Sequence, residues 1–156
     1  MFQGYPVKDL GVLLSEDGSW KPQIEKVSAS ASRVANWILG AFKCRSAKVM
    51  MTLYKTLVRP ILEYCSAVWN PSSVGEIAQL EQVQRNSTRR ILGCQDLDYW
   101  ERLAFLDLQS LQRRRERYVL IHMFKIYKGL APNGPGFDFM DTPRFGARAV
   151  IPKFNH

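Results

Sequence analysis

Residues 19–41 read SWKPQIEKVSASASRVANWILGA, and this stretch decides the fold class. Ile24, Val27, Ala31, Val34, Ile38 and Ala41 recur at three- and four-residue steps. That spacing puts side chains on one face of an α-helix. Ser19 offers a cap for its start, and Pro22 suits the first turn, where a missing backbone N–H costs little. The spacing predicts an amphipathic helix with one buried stripe. Just upstream, residues 7–14 (VKDLGVLL) read as one strand closed by a Ser15-Glu16-Asp17-Gly18 turn.

Helical periodicity continues downstream. Ser46 is placed to cap a second helix carrying Met50, Leu53, Leu57, Ile61, Tyr64 and Val68 on one side. Pro60 falls inside that pattern and predicts a kink or split, because it removes a backbone donor. Trp69-Asn70-Pro71-Ser72-Ser73 ends the helix. A third helix follows from about residue 74, with Ile77, Leu80, Val83, Ser87 and Ile91 inward and Gly93 at its end. Asp98 caps a short helix through Leu106, and Ser110 caps a last long one from Leu111. The first turns of that last helix are basic, with Arg113, Arg114, Arg115 and Arg117. Its second half, Tyr118 to Tyr127, is apolar nearly all round, and such a helix calls for enclosure by neighbours. Gly129 stops it. Residues 130–156 hold four of the chain's 8 prolines and read as a loop-rich tail, with Ala149-Val150-Ile151 as a short strand. The fold predicted is mainly α: a small bundle of four to five helices with one short N-terminal β-strand and a Pro/Gly-rich tail. The divisions fall at 1–18, 19–129 and 130–156. A single strand leaves its edges unpaired, so its partner is expected elsewhere.

The composition narrows the function classes. The 156 residues carry 22 Lys+Arg against 14 Asp+Glu, a formal charge of +8, which points to a polyanionic partner. Hydrophobic residues at 46% exclude a wholly disordered chain. No apolar run approaches the roughly 20 residues that a membrane span needs. Met1-Phe2-Gln3-Gly4 has neither the basic start nor the apolar run of a signal peptide, so the expectation is an intracellular protein, nuclear or cytoplasmic. Cys44, Cys65 and Cys94 are expected as reduced, buried thiols. They form no close pair of the kind zinc sites use, and only His122 and His156 could add imidazole, so no metal and no cofactor are expected.

No catalytic constellation is visible either. The chain has no Gly-rich phosphate loop with a following Lys-Ser/Thr, and no Gly-x-Ser-x-Gly elbow. Glu16-Asp17 reads as a turn and Asp96-x-Asp98 as a helix cap. Trp69 reads as a packing anchor. Asn86-Ser87-Thr88 matches a glycosylation sequon, but it lies mid-helix. The positive signal is basic. Residues 85–128 hold ten Lys/Arg and five Asp/Glu, while residues 1–84 hold nine and seven. Arg85 and Arg89 lie one turn apart with Arg90 beside them, and Arg113 and Arg117 repeat the spacing. Such a stripe can meet phosphates. On charge alone the plainer reading is a solvated face with intrahelical pairs such as Glu81–Arg85 and Arg113–Glu116.

An ordered series of motifs shifts that balance. Lys8-Asp9-Leu10-Gly11-Val12 comes first. Leu53-Tyr54-x-x-Leu57-Val58-Arg59-Pro60-Ile61-Leu62-Glu63-Tyr64 and Val68-Trp69-Asn70-Pro71 follow. Next are Ile77-x-x-Leu80-Glu81-x-Val83-Gln84-Arg85 and Arg89-x-Ile91-x-Gly93. Last come Tyr99-x-Glu101-Arg102-Leu103, Leu106-x-Leu108-x-Ser110-Leu111, Arg114-Arg115 and Tyr127-Lys128. Over about residues 7–133 this series resembles the C-terminal region of reverse transcriptases from non-LTR (LINE-type, jockey-like) retrotransposons. The resemblance implies that the first strand closes a palm domain and that the helices after it form a thumb gripping an RNA or RNA–DNA duplex. Arg85, Arg89, Arg90, Arg113, Arg114 and Arg117 then become candidate nucleic-acid contacts, and the strand's partner would belong to the palm. The family's catalytic aspartates lie upstream of this strand. The chain contains no Tyr/Phe-x-Asp-Asp, and the family's endonuclease and zinc knuckle have no counterpart in it. The resemblance therefore implies the ancestry of an RNA-directed DNA polymerase without its chemistry, and no catalytic residue is assigned. A helical protein-interaction module or a non-functional transposon remnant is the alternative.

Overall fold

The computed structural model describes residues 7–71 and 73–131. The protein is mainly helical, a small bundle with a short sheet at its N-terminal end. In chain order the elements are β1 (Val7–Asp9), β2 (Val12–Leu14), α1 (Lys21–Ala41), α2 (Ala47–Leu53), a π-helical turn (Tyr54–Val58), α3 (Arg59–Glu63), α4 (Val74–Arg89), α5 (Tyr99–Phe105) and α6 (Leu111–Tyr127). The chain divides into two compact units, Met1–Val119 and Leu120–His156, so α6 begins in the first and ends in the second.

The single strand expected at the N-terminus is instead a hairpin. Val7, Lys8 and Asp9 pair antiparallel with Leu14, Leu13 and Val12. Leu10 and Gly11 turn the chain with φ of 44° and 89°. Two successive positive φ angles are what a two-residue hairpin turn needs, and glycine takes the second at little cost. The partner strand is thus local. Gln23 Oε1 accepts the Leu13 N–H at 2.9 Å, Lys26 Nζ donates to the Gly11 carbonyl at 2.9 Å, and Tyr64 Oη donates to the Leu10 carbonyl at 3.0 Å. These three bonds hold the hairpin against the bundle.

Helix α1 buries Ile24, Val27, Ala31 and Ile38 as the spacing predicts, with Ala35 and Leu39 beside them. Val34 is only half-buried and Ala41 is exposed. Ser19 sits one residue outside the cap position, which Trp20 occupies, and its hydroxyl accepts the Lys21 N–H at 3.2 Å.

Pro60 divides the second helical segment, as expected, but without interrupting the helical path: α2 passes through the π-helical turn into α3. The Arg59 N–H reaches back five residues to the Tyr54 carbonyl, and this wider turn delivers the chain to Pro60 at the start of α3. There a proline has no hydrogen bond to lose. The wide turn also keeps a four-residue step where an ordinary α-helix alternates three and four. The inward row is therefore Met50, Tyr54, Val58 and Leu62, all buried, while Leu57, Tyr64 and Val68 are exposed. The row expected from the sequence is correct only at Met50 and, half-buried, at Leu53 and Ile61. The helix ends at Glu63, so Tyr64 and Val68 lie beyond it.

Helix α4 opens on a capping box: Ser73 Oγ accepts the Glu76 N–H at 3.2 Å, and Glu76 accepts the Ser73 N–H. It ends at Arg89, ahead of Gly93, and turns Leu80 and Val83 inward with Gln84 and Thr88. Asp98 caps α5 in a second capping box with Glu101. Ser110 caps α6 through the Arg113 N–H at 3.2 Å. Gly129, at φ 67°, ends that segment with its own N–H bonded to the Ile126 carbonyl and that of Leu130 to the Lys125 carbonyl. Both bonds belong to the left-handed glycine stop that the sequence reading expects. In the second half of α6, Leu120, Phe124 and Tyr127 are each more than half exposed.

Ile24, Leu62, Trp69, Leu80, Ile91 and Leu111 are the most deeply buried large apolar side chains. Trp69 is a packing anchor, fully buried, with its indole N–H on the Tyr64 carbonyl at 2.8 Å. All three cysteines are free. Cys94 is buried and Cys65 half-buried, whereas Cys44 is exposed in the link between α1 and α2, contrary to the expectation of three buried thiols. Residues 132–156, including most of the predicted tail and its Ala149-Val150-Ile151 strand, lie outside the described residues.

Candidate nucleic-acid interface

The packing of α4 sets which of its polar groups face solvent. With Leu80, Val83, Gln84 and Thr88 buried, the opposite row holds Gln82, Arg85, Asn86 and Arg89. The link after α4 adds Gln95 and Leu97, and the middle of α5 adds Arg102. These seven residues line an open cleft of about 370 Å³. Three of them are arginines and none is a carboxylate.

Tyr99 organises the cleft. Its ring is buried, with the Arg85 guanidinium over it at 4.2 Å from the ring centroid and that of Arg102 at 5.7 Å. Cations favour the electron-rich face of an aromatic ring, so one tyrosine fixes both side chains. Arg102 is itself buried and donates through Nη1 to the Leu97 carbonyl at 2.7 Å. Gln82 Nε2 donates to Asn86 Oδ1 at 2.9 Å, which orients the two amides on the rim.

The Tyr99 phenol belongs to a buried polar chain that ties four elements together. Tyr54 Oη donates to Gln84 Oε1 at 2.7 Å, and Gln84 Nε2 donates to Tyr99 Oη at 3.0 Å and to the Gln109 carbonyl at 3.1 Å. Tyr99 Oη donates to Glu81, whose carboxylate also accepts the Leu111 N–H at 3.0 Å and the Gln112 N–H at 3.4 Å. Burial first, then neighbouring negative charge, holds both phenols well above the usual tyrosine range, so they stay neutral donors.

Only part of the arginine set expected from the sequence converges here. Arg85 and Arg89 line the cleft, and Arg90 is exposed at the end of α4. Arg113 and Arg117 are exposed on α6 and are not cleft residues. Arg114 is engaged elsewhere: it holds Glu63 through Nε and through Nη2 at 3.1 Å, and also donates to Tyr118 Oη at 2.7 Å. The Glu63 carboxylate raises the Arg114 pKa further above its ordinary value. Neither intrahelical pair of the solvated-face reading forms. Glu81 turns inward to the α6 N–H groups while Arg85 lies on Tyr99, and Glu116 accepts instead from Gln112 Nε2 at 3.0 Å. Among the described residues the ion pairs are Arg59–Glu63 and Arg114–Glu63.

Two arginines carry roles that the sequence reading misses. Arg102 completes the cleft but stands 17 positions beyond Arg85 in the chain, so no local period connects them. Arg115 is 2% exposed, its guanidinium 4.1 Å over the Trp69 ring, donating to the carbonyls of Trp69 and Leu62. Burial lowers its pKa to about 10, which leaves it cationic at neutral pH. A signal existed: Leu111, Arg115 and Val119 are spaced by four, which sets Arg115 on the inward row.

Among the described residues no group of three His, Cys, Asp or Glu could hold a metal ion, and no described helix is long and apolar enough to cross a membrane. What the cleft offers chemically is guanidinium donors with amides beside them, the equipment for an oxyanion.

No protein-family model matches the chain, and no solved structure matches it. An uncharacterized protein of Caenorhabditis elegans is 29% identical over 126 residues, covering 79% of this chain. The chain spans 64% of that relative's length.

Proposed function

We propose that this chain is a thumb-like fragment of a non-LTR retrotransposon reverse transcriptase that holds an RNA or RNA–DNA duplex and performs no polymerisation on its own. The observation that carries the binding part is the α4–α5 cleft, where Arg85, Arg89 and Arg102 meet without a carboxylate among the lining residues. A surface evolved only for solubility intersperses both signs of charge, whereas a phosphate-contacting surface collects one. The ordered motif series from Lys8 to Lys128 supports the ancestry. The test is a gel shift on RNA–DNA and RNA duplexes at about 50 mM salt, where phosphate contacts are strong. Binding that is lost on Arg85→Glu with Arg89→Glu supports the reading, and no shift on either duplex ends it. A primer-extension assay is expected to show no incorporation.

A second reading, a helical protein-interaction module, draws on the exposed apolar residues of α6, Leu120, Phe124 and Tyr127. A strictly monomeric species in sedimentation, with duplex binding intact, would decide against it.

A further inference from the structure

We propose that the α4–α5 cleft is a binding site for a phosphomonoester, the terminal phosphate of a nucleic-acid strand or a free phosphate, gripped by Arg85, Arg89 and Arg102. The assignment of a strand end rests on the nucleic-acid reading above; the phosphate site itself does not.

Charge is the first argument. Three guanidiniums surround one opening, and two of them share the ring of Tyr99. Asp96, between Gln95 and Leu97, is exposed and is not among the lining residues, and two further carboxylates are engaged elsewhere. Glu81 accepts the Leu111 and Gln112 N–H groups, and Asp98 accepts the Glu101 N–H at 2.8 Å. A backbone phosphodiester brings one negative charge to such a site. A phosphomonoester brings close to two at neutral pH, and so matches three cations better. Guanidinium groups also present paired donors that fit phosphate oxygens two at a time.

Unmet hydrogen bonding is the second argument. Arg102 is 7% exposed, yet among the described residues its one hydrogen bond is Nη1 to the Leu97 carbonyl. Nε is buried without a partner. Nη2 is neither bonded nor sealed, on a residue that lines the cleft. A buried cation with one carbonyl acceptor and one ring face still lacks acceptors for its other N–H groups, and an oxyanion supplies one. Size is the third. About 370 Å³ lies in the range of small-ligand sites and leaves room for a terminal nucleotide beside the amides of Gln82, Asn86 and Gln95.

The experiment compares the full chain's affinity for a duplex bearing a 5′-phosphate with the same duplex ending in 5′-hydroxyl, by fluorescence anisotropy. A parallel arm titrates inorganic phosphate against chloride at matched ionic strength and follows the thermal midpoint. We expect the 5′-phosphorylated duplex to bind about tenfold tighter or more, the scale of one added charge-assisted contact. Phosphate should raise the midpoint saturably. Arg89→Gln, on an exposed side chain, should abolish both differences while leaving the midpoint without phosphate unchanged. Arg102→Lys keeps the buried charge and should weaken them in part. Equal affinity for the two duplex ends, with no saturable phosphate effect, overturns the proposal even if both duplexes bind. A saturable phosphate effect without any duplex binding sustains the phosphate site, makes free phosphate its source and removes the nucleic-acid reading. Unaltered phosphate responses in both variants would also overturn it.

Discussion

The Glu81 carboxylate, carried by α4, accepts the backbone N–H of Leu111 at 3.0 Å and so caps α6 from a different helix. Ser110 caps the same helix locally through Arg113, so the start of α6 has both a near and a remote acceptor. A carboxylate at a helix N-terminus meets unpaired N–H groups and the positive end of the helix dipole together. Glu81→Ala strands the Leu111 N–H and the Tyr99 hydroxyl in the core. Its expected cost is about 2–3 kcal/mol, with Glu81→Gln costing about half as much because an acceptor remains. Urea denaturation followed by far-UV circular dichroism measures both. A loss below about 0.5 kcal/mol for Glu81→Ala would show that Ser110 suffices alone.

Arginines on this chain divide into those that hold the fold and those free to bind. Arg114 grips Glu63 with two donors at a partly buried pair, while Arg89 has an exposed side chain over the cleft. Arg114→Ala is expected to destabilise by about 1–2 kcal/mol and Arg89→Ala by less than about 0.5. A double-mutant cycle of Arg114→Ala with Glu63→Gln should return a coupling of about 1 kcal/mol. Additive costs in that cycle would mean the pair is not formed in solution.

These divisions show what the sequence could and could not reveal. Local signals were legible: the α1 stripe, the Asp98 and Ser110 caps, the glycine stop at Gly129 and the anchoring of Trp69. Apart from Trp69, which its bulk and apolar character mark for burial, each depends on residues within one or two turns of each other. The misses depend on distant partners or on a change of helical period. Pro60 was visible, but the π-helical turn that accommodates it resets the inward row from Leu57 to Val58. Glu81 looked like half of a surface pair because Leu111, its true partner, is 30 residues away. The cleft was half legible for the same reason. Arg85 and Arg89 share a helix face, whereas Arg102 comes from α5 and meets Arg85 on the ring of Tyr99.

Alkaline pH should expose the buried phenols. Tyr54 and Tyr99 have folded pKa values raised above the unfolded value near 10, so the native state keeps protons that the unfolded chain gives up. Their contribution is therefore fully present below pH 10 and is lost as pH rises above it, by about 1.4 kcal/mol per pH unit for each phenol. Arg115, lowered to about 10, acts in the opposite sense and is common to every variant. Comparing pH profiles isolates each phenol: Tyr54→Phe and Tyr99→Phe should each reduce the loss between about pH 10 and 11 by about 1 kcal/mol, because the unfolded phenol is only half ionised at the start of that window. Identical slopes in wild type and both variants would place the phenols in water.

Salt dependence sorts the same arginines by a different measure. If phosphates occupy the cleft and the end of α4, the logarithm of duplex affinity falls linearly with the logarithm of salt, with a slope of about −0.9 for each phosphate neutralised. Arg89→Ala and Arg90→Ala should each reduce the steepness by about one, and affinity should drop alike for unrelated duplex sequences. Arg114→Ala should leave the slope unchanged, because its guanidinium is engaged with Glu63 before any ligand arrives. Titrations at four or five salt concentrations resolve a change of that size. A slope that is the same for Arg89→Ala as for the wild-type chain would remove Arg89 from the interface and leave the cleft without its exposed cation.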